Sequence, residues 1–238
     1  MSILYIVATP IGNLDDITLR ALSTFKNVNI IACEDTRITG TLLAHHGITG
    51  KKLITLAAHN EINSTKGIIK LLEEGNDVAL CTDRGTPGIS DPGARLVEEA
   101  YNRGIKVIPI PGVSATTTLI SVAGNIGKTW MFEGFLPKTA GKLTRRLEEL
   151  MSFPCSFVIY ESPFRILKTL GAITEIDKNR IIVVGRELTK LHEEVIKGTA
   201  EEIYNEFAKR DAIKGEFAVI VCPNTPQRQD DKSNQEIC

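Results

Sequence analysis

Along the first half of the chain, short β-branched and aliphatic runs alternate with segments whose apolar positions recur at helical spacing. Residues 4–8 are continuously apolar, as in a strand buried on both faces of a sheet. Helical patterning follows over 16–22, a second strand over 28–33, and a helix over 36–45 with Gly47 placed to end it. The pattern then predicts a strand at 53–57, a helix over 63–74 stopping at Gly75, and a strand at 77–82. A helix over 91–102 ends near Gly104, and a strand occupies 106–110. This βα alternation implies a mainly parallel sheet with helices on its faces.

The second half changes character. After a helix over 114–123, Gly124-Asn125-Ile126-Gly127 interrupts the pattern. Strands are expected at 130–135, 156–160, 181–185, 193–197 and 217–222, with helices over 142–151, 164–173 and 200–209 between some of them. That spacing reads as a second α/β domain with more antiparallel pairing. The expected organisation is a first α/β domain over 1–124 and a second over 125–224. The remaining tail, 225–238, is polar and has the composition of a disordered segment.

Length and charge narrow the picture. A chain of 238 residues suits two small domains better than one. Lys and Arg total 28 against 29 Asp and Glu, so the net charge of −1 offers no global steering of nucleic acid. A nucleic-acid partner would need a local basic patch. The thiols Cys33, Cys81, Cys155, Cys222 and Cys238 are scattered and form no C-x-x-C pair. Neither a zinc site nor a disulfide framework is suggested, and a reducing, cytoplasmic setting is expected. His45 and His46 are adjacent and face different ways on a helix, so no metal is expected there. The N-terminus lacks a basic n-region and reads as a strand rather than a signal peptide. No apolar run reaches the roughly 18 residues needed to cross a bilayer, so no membrane partner is expected.

The densest chemical signal is Thr82-Asp83-Arg84-Gly85-Thr86-Pro87-Gly88-Ile89-Ser90-Asp91-Pro92-Gly93. It leaves a strand and leads into a helix, the position at which open α/β sheets hold ligands. Gly85, Gly88 and Gly93 permit positive φ and close backbone approach, while Pro87 and Pro92 fix the path. The competing reading is a plain strand-to-helix turn with Asp91 as N-cap. Nucleotide fingerprints match poorly. G-x-G-x-x-G is absent, and Gly127-Lys128-Thr129 resembles the end of a P-loop but has Val122 where the first glycine belongs. A cofactor without phosphates fits better, and S-adenosylmethionine (SAM) is one.

Several stretches together resemble the tetrapyrrole-methylase superfamily. They are Ala8-Thr9-Pro10-Ile11-Gly12-Asn13-Leu14-Asp15-Asp16-Ile17-Thr18, Cys33-Glu34-Asp35-Thr36-Arg37 and the Asp83 to Gly93 run. The later ones are Ile110-Pro111-Gly112-Val113-Ser114-Ala115, Glu133-Gly134-Phe135-Leu136-Pro137, Tyr160-Glu161-Ser162-Pro163, Gly185-Arg186-Glu187-Leu188-Thr189-Lys190 and Gly215-Glu216-Phe217-Ala218. The resemblance implies two α/β domains with SAM in the cleft between them, and a homodimer. It implies that Pro10, Ile11, Asp83, Gly85, Thr86, Ile89, Ser114 and Ala115 bind the cofactor, with Phe135, Leu136 and Ala218 contributed by the second domain. The activity implied is methylation of a cytidine 2′-hydroxyl of 16S ribosomal RNA in the small ribosomal subunit. The alternatives are methylation of a small tetrapyrrole, which needs an apolar cleft and no basic patch, and a non-catalytic SAM-binding protein. Two positions depart from the family's pattern: Arg84 replaces a small residue, and Phe164 replaces a histidine.

A 2′-hydroxyl is a weak nucleophile, so a base or polarising cation is expected. The candidates are Glu34, Asp35 and Arg37 at the end of the second strand, and Lys190 in the second half, with Glu161 and Glu187 near it in type. Each has a plainer reading: Asp35 as a helix cap, and Glu187 with Lys190 as an i,i+3 surface pair. Lys138, Lys142, Arg145 and Arg146 form the best RNA-binding patch, with Arg165 and Lys168 as additions. Without the resemblance, the plainer reading of these residues is a solvated helix face balanced by Glu148 and Glu149.

Overall fold

The computed structural model describes residues 2–224, and the tail expected to be disordered, 225–238, lies outside them. The chain divides into two compact units. The first runs to Thr118 and includes Glu187–Glu193; among the described residues the second comprises Leu119–Arg186 and 194–224. The division therefore falls a few residues before Asn125, and a short segment from late in the sequence folds with the first unit.

The first unit runs β1 (Ile3–Val7), α1 (Leu19–Asn27), β2 (Ile30–Cys33), α2 (Thr36–His45), β3 (Lys52–Thr55), α3 (Glu61–Glu73), β4 (Val78–Leu80), α4 (Ala94–Asn102), β5 (Lys106–Ile110) and α5 (Ala115–Val122), within which the division falls. Its sheet has the order β3-β2-β4-β1-β5, and every neighbouring pair is parallel. The continuously apolar strands are explained by burial on both faces. Val7, Ile31 and Ala79 pack with Phe25 and Leu43 on one side. Leu4, Ala32, Val78 and Leu80 pack with Ile68, Leu72 and Leu96 on the other. Gly47 ends α2 in the left-handed region, at φ +67°, and lets the Ile48 N–H return to the Leu43 carbonyl at 2.8 Å.

Two helix starts differ from the pattern. The helix expected over 16–22 is a 3-10 turn, Leu14–Asp16, capped by Asn13, followed by α1 from Leu19 with Thr18 as its cap. Apolar spacing runs unbroken through both, so it conceals the break. Asp91 is not the N-cap of the next helix. That position belongs to Gly93, at φ +131°, and Asp91 and Pro92 form a bend before the helix begins.

The second unit runs β6 (Trp130–Phe135), α6 (Ala140–Ser152), β7 (Ser156–Glu161), α7 (Ile166–Ile176), β8 (Ile181–Arg186), β9 (Glu194–Thr199), α8 (Ala200–Ala208) and β10 (Phe217–Val221). Its sheet order is β6-β7-β10-β8-β9; β6 and β7 are parallel and the other pairs antiparallel. Leu147, Leu170 and Phe207 from the helices meet Phe157, Val184 and Val219 in its core. Thr199 and Glu202 form a capping box that starts α8. Glu161, at the end of β7, is buried and fully engaged. It accepts the Ser162 N–H and the Thr169 hydroxyl, each at 2.8 Å, and lies 3.4 Å from Arg165. Arg165 in turn donates to the Leu136 and Pro137 carbonyls. Glu161 thus holds the Tyr-Glu-Ser-Pro corner together, which accounts for that motif structurally. Among the described residues no helix is long and apolar enough to cross a membrane, and no group of His, Cys, Asp and Glu could hold a metal ion.

Candidate functional site

Because all strands of the first sheet run one way, their exit loops gather on one edge. The 82–93 run is knitted to its neighbours there. Thr9 and Gly85 exchange backbone hydrogen bonds of 2.9 and 3.1 Å. The buried Thr9 hydroxyl donates to the Thr82 carbonyl at 3.0 Å, and the Thr86 hydroxyl to the Val113 carbonyl at 3.1 Å. Gly85 sits at φ +82°, which a β-branched residue does not tolerate. Gly112 lets the exits of β1 and β5 touch: a Cβ there would lie 2.9 Å from that of Ala8. At the far end of the run, the Glu61 carboxylate accepts the Gly93 N–H at 3.0 Å.

Carboxylates dominate the electrostatics of this edge. Asp83 Oδ1 accepts the Asp35 N–H at 2.9 Å, tying the exits of β4 and β2 together. Burial pushes the Asp83 carboxyl above the usual range, with repulsion from Asp35 adding to it and the Asp35 N–H, Arg84 and Arg37 opposing. Burial also raises Glu34, and the charges of Asp83, Asp91 and Asp35 raise it further. Asp35 goes the other way. It caps α2, accepting the Arg37 N–H at 2.8 Å, and its bonds to the Arg37 guanidinium hold it down at about 2. Such a cluster repels phosphate and attracts a cation rich in hydrogen-bond donors. A sulfonium cofactor bearing an ammonium and a ribose diol fits that donor set; a polyphosphate does not.

These shifts predict a pH effect whose sign differs between binding and folding. Carboxyls raised above their ordinary values take up protons, on acidification, before ordinary carboxylates do. Affinity for a cationic cofactor should therefore fall on acidification before ordinary carboxylates begin to take up protons. Protonating Asp83 and Glu34 favours the native state, because their native values lie above the unfolded ones. The stability owed to Asp35 is lost as the pH falls below the ordinary carboxylate value and through its depressed value of about 2. Calorimetric titration and thermal melting over the same pH series check this: affinity should drop where the melting temperature does not.

The other candidates are placed as follows. Pro10 and Ile11 are buried in the loop leaving β1, Ser114 and Ala115 lie half-buried where α5 begins, and Ile89 and Arg84 are exposed. Lys190 donates to Glu187 at 2.7 Å, the i,i+3 pair. Their segment packs on the β1 exit loop. The Asn13 N–H bonds the Thr189 hydroxyl at 3.2 Å, and a Cβ on Gly12 would fall 2.3 Å from Lys190 Cγ. Glu187 and Thr189 both have positive φ, 50° and 66°, a strained backbone of the kind that clusters at functional sites.

In the second unit, Phe135 is exposed with its ring edge-on to Tyr160, the Leu136 side chain lies in the core, and Ala218 is buried within β10. Lys138, Lys142 and Arg145 are exposed. Arg146 is committed instead: it forks onto Glu133 at 2.7 and 2.6 Å and reaches Glu149 at 2.6 Å. Phe164 is almost fully exposed. The sequence pattern does not single out Thr9, Gly12, Glu61 or Thr189. Thr9, Gly12 and Thr189 fall inside the stretches that resemble the family without being marked individually, and Glu61 falls in none of them.

Two α/β sheets joined in this order, with a glycine-rich and acidic exit loop unsuited to phosphate, define a methylase scaffold. The chain belongs to the tetrapyrrole (corrin/porphyrin) methylases, whose family profile matches residues 3–204. It is 44% identical over 221 residues to the Ribosomal RNA small subunit methyltransferase I of Mesorhizobium japonicum, covering 92% of this chain and 75% of that one. It is 45% identical over 222 residues to the protein of the same name from Thermotoga maritima, covering 93% and 98%. In fold it is similar to the methyltransferase CobJ, with a TM-score of 0.71 at 17% identity over 96% of this chain and 97% of that one.

Proposed function

We propose that the protein is a SAM-dependent methyltransferase that methylates a cytidine 2′-hydroxyl of 16S ribosomal RNA in the small subunit, acting in the cytoplasm as a homodimer. The observation that carries this reading is the likeness to relatives named as small-subunit ribosomal RNA methyltransferases, which extends through nearly the whole chain. The acidic exit edge supports the cofactor assignment on physical grounds.

When bound, SAM supplies a methyl group carried on a sulfonium. Pro10, Ile11, Asp83, Gly85, Thr86, Ile89, Ser114 and Ala115 would hold it, with Asp83 receiving its hydrogen-bond donors. Phe135, Leu136 and Ala218 are assigned by motif, Leu136 through its backbone. Glu34 is the favoured acceptor for the proton of the 2′-hydroxyl. Its raised carboxyl is a better base than Asp35, which serves as cap and partner of Arg37. Lys190 and Arg37 would act as cations toward the substrate. Lys138, Lys142 and Arg145 would contact phosphates, and Arg146 would shape that surface through Glu133. The test is transfer of label from SAM to purified small subunits, with a porphyrinoid offered in parallel. Label in the porphyrinoid alone would favour a tetrapyrrole methylase.

A further inference from the structure

A pocket of about 660 Å³ opens within the first unit, lined in part by Asp16, Thr18, Val113, Ser114, Thr117 and Thr189. Its size is that of a small-molecule site, ample for one nucleoside. Its lining is hydroxyl-rich and carries one charge, the Asp16 carboxylate, with no cation. A phosphate would face the Asp16 carboxylate with no cation to offset it, whereas a neutral ring with polar edges suits the lining.

The polar groups form a pattern. Asp16 Oδ2 is buried and has no hydrogen-bond partner. A buried carboxylate oxygen without a donor is costly, and such an oxygen beside a pocket calls for a donor from the ligand. The terminal torsion of an aspartate is soft, so either oxygen can turn to meet one. The Thr18 hydroxyl accepts the Ala21 N–H at 3.1 Å, and the Thr189 hydroxyl accepts the Asn13 N–H at 3.2 Å. Both therefore keep their own protons to give. The pocket thus presents one acceptor and flanking donors. Cytosine offers the complement, an exocyclic amine that donates beside ring atoms that accept, and carboxylates pair with that amine. Uracil carries an acceptor where cytosine carries the amine and would face the carboxylate with a lone pair.

We infer that this pocket receives the base of the target nucleotide, splayed out of the RNA, and that Asp16 reads its amine. The inference rests on the proposed methylation of a cytidine. The same donor chemistry is carried by the ammonium of the cofactor, so the experiment must separate the two.

The variant is Asp16→Asn, which keeps shape but removes charge and offers an amide that can also donate. SAM affinity is measured by calorimetry, and methylation rates on small subunits carrying either cytidine or uridine at the labelled position. The expected result is SAM affinity within about twofold of the parent, and a preference for cytidine over uridine reduced at least tenfold, on the order of one base-edge contact. The melting temperature should hold or rise, since an unpaired buried oxygen loses its charge. Should the variant not fold, Thr189→Val on the same pocket must lower the rate on cytidine while sparing SAM affinity. An unchanged base preference overturns the inference. So does a tenfold loss of SAM affinity, which would assign Asp16 to the cofactor ammonium. A parent enzyme that labels no ribosomal RNA at all would instead overturn the proposed function itself.

Discussion

Gly85→Val leaves a folded protein with SAM affinity reduced by about two orders of magnitude or more, on the scale of a misplaced backbone in a strained region. The reason is conformational before it is steric. Gly85 stands at φ +82°, and its N–H and carbonyl both pair with Thr9. Valine at that φ is a severe outlier, so the chain must rotate, and the reciprocal pair with Thr9 breaks. The first atom of the new side chain would lie 3.4 Å from Ile11 Cγ2, leaving the valine methyls no room on that side. The loops leaving β1 and β4 then part, and with them the residues proposed to hold the cofactor. Calorimetry against SAM, with circular dichroism to establish folding, checks it. Unimpaired binding in a folded variant would mean that the loop does not hold the cofactor.

The second large effect is expected at Gly12. Here the backbone is ordinary and the obstacle is packing. An added Cβ would meet Lys190 Cγ at 2.3 Å, Thr189 Oγ1 at 2.8 Å and the Leu188 carbonyl at 3.1 Å. The lysine stem can swing aside, but the Leu188 carbonyl belongs to a backbone held by two left-handed residues. Gly12→Val should lift the 187–193 segment from the β1 exit, at a cost of roughly 1–3 kcal/mol typical of overpacking. The melting temperature should fall accordingly, and methylation should fall further than stability does, because Lys190 and the Thr189 wall of the pocket move together. Thermal melting and initial rates on the same preparations check the two. A variant that melts and methylates like the parent would show the segment to be a passive turn.

The two positions show what the sequence carries and what it withholds. Strands and helices with local punctuation are legible. Thr36–His45 has its cap at Asp35 and its stop at Gly47, and Lys106–Ile110 is bracketed by Gly104 and Pro111. The 82–93 run is legible as a special loop because glycine and proline report backbone demands directly. What stays hidden is non-local. The docking of 187–193 on Gly12 joins residues more than 170 apart, according to the Asn13–Thr189 bond. The Glu61 bond to Gly93 and the Asp83 bond to Asp35 likewise depend on how parallel strands line up. The choice between Glu34 and Asp35 needed structure for the same reason: the residues are adjacent, and only burial and partners push them in opposite directions. Arg146 reads as one more cation in a basic patch until its bidentate partner Glu133 is seen.

Ribose methylation of ribosomal RNA is tested by following the methyl group. Small ribosomal subunits lacking the modification are incubated with the enzyme and labelled SAM, and the ribosomal RNA is hydrolysed in alkali. Cleavage requires a free 2′-hydroxyl, so a methylated ribose protects its own phosphodiester. The label should be recovered in a single alkali-resistant dinucleotide beginning with cytidine. Label recovered in mononucleotides as a methylated base, or no label in the RNA, would contradict it.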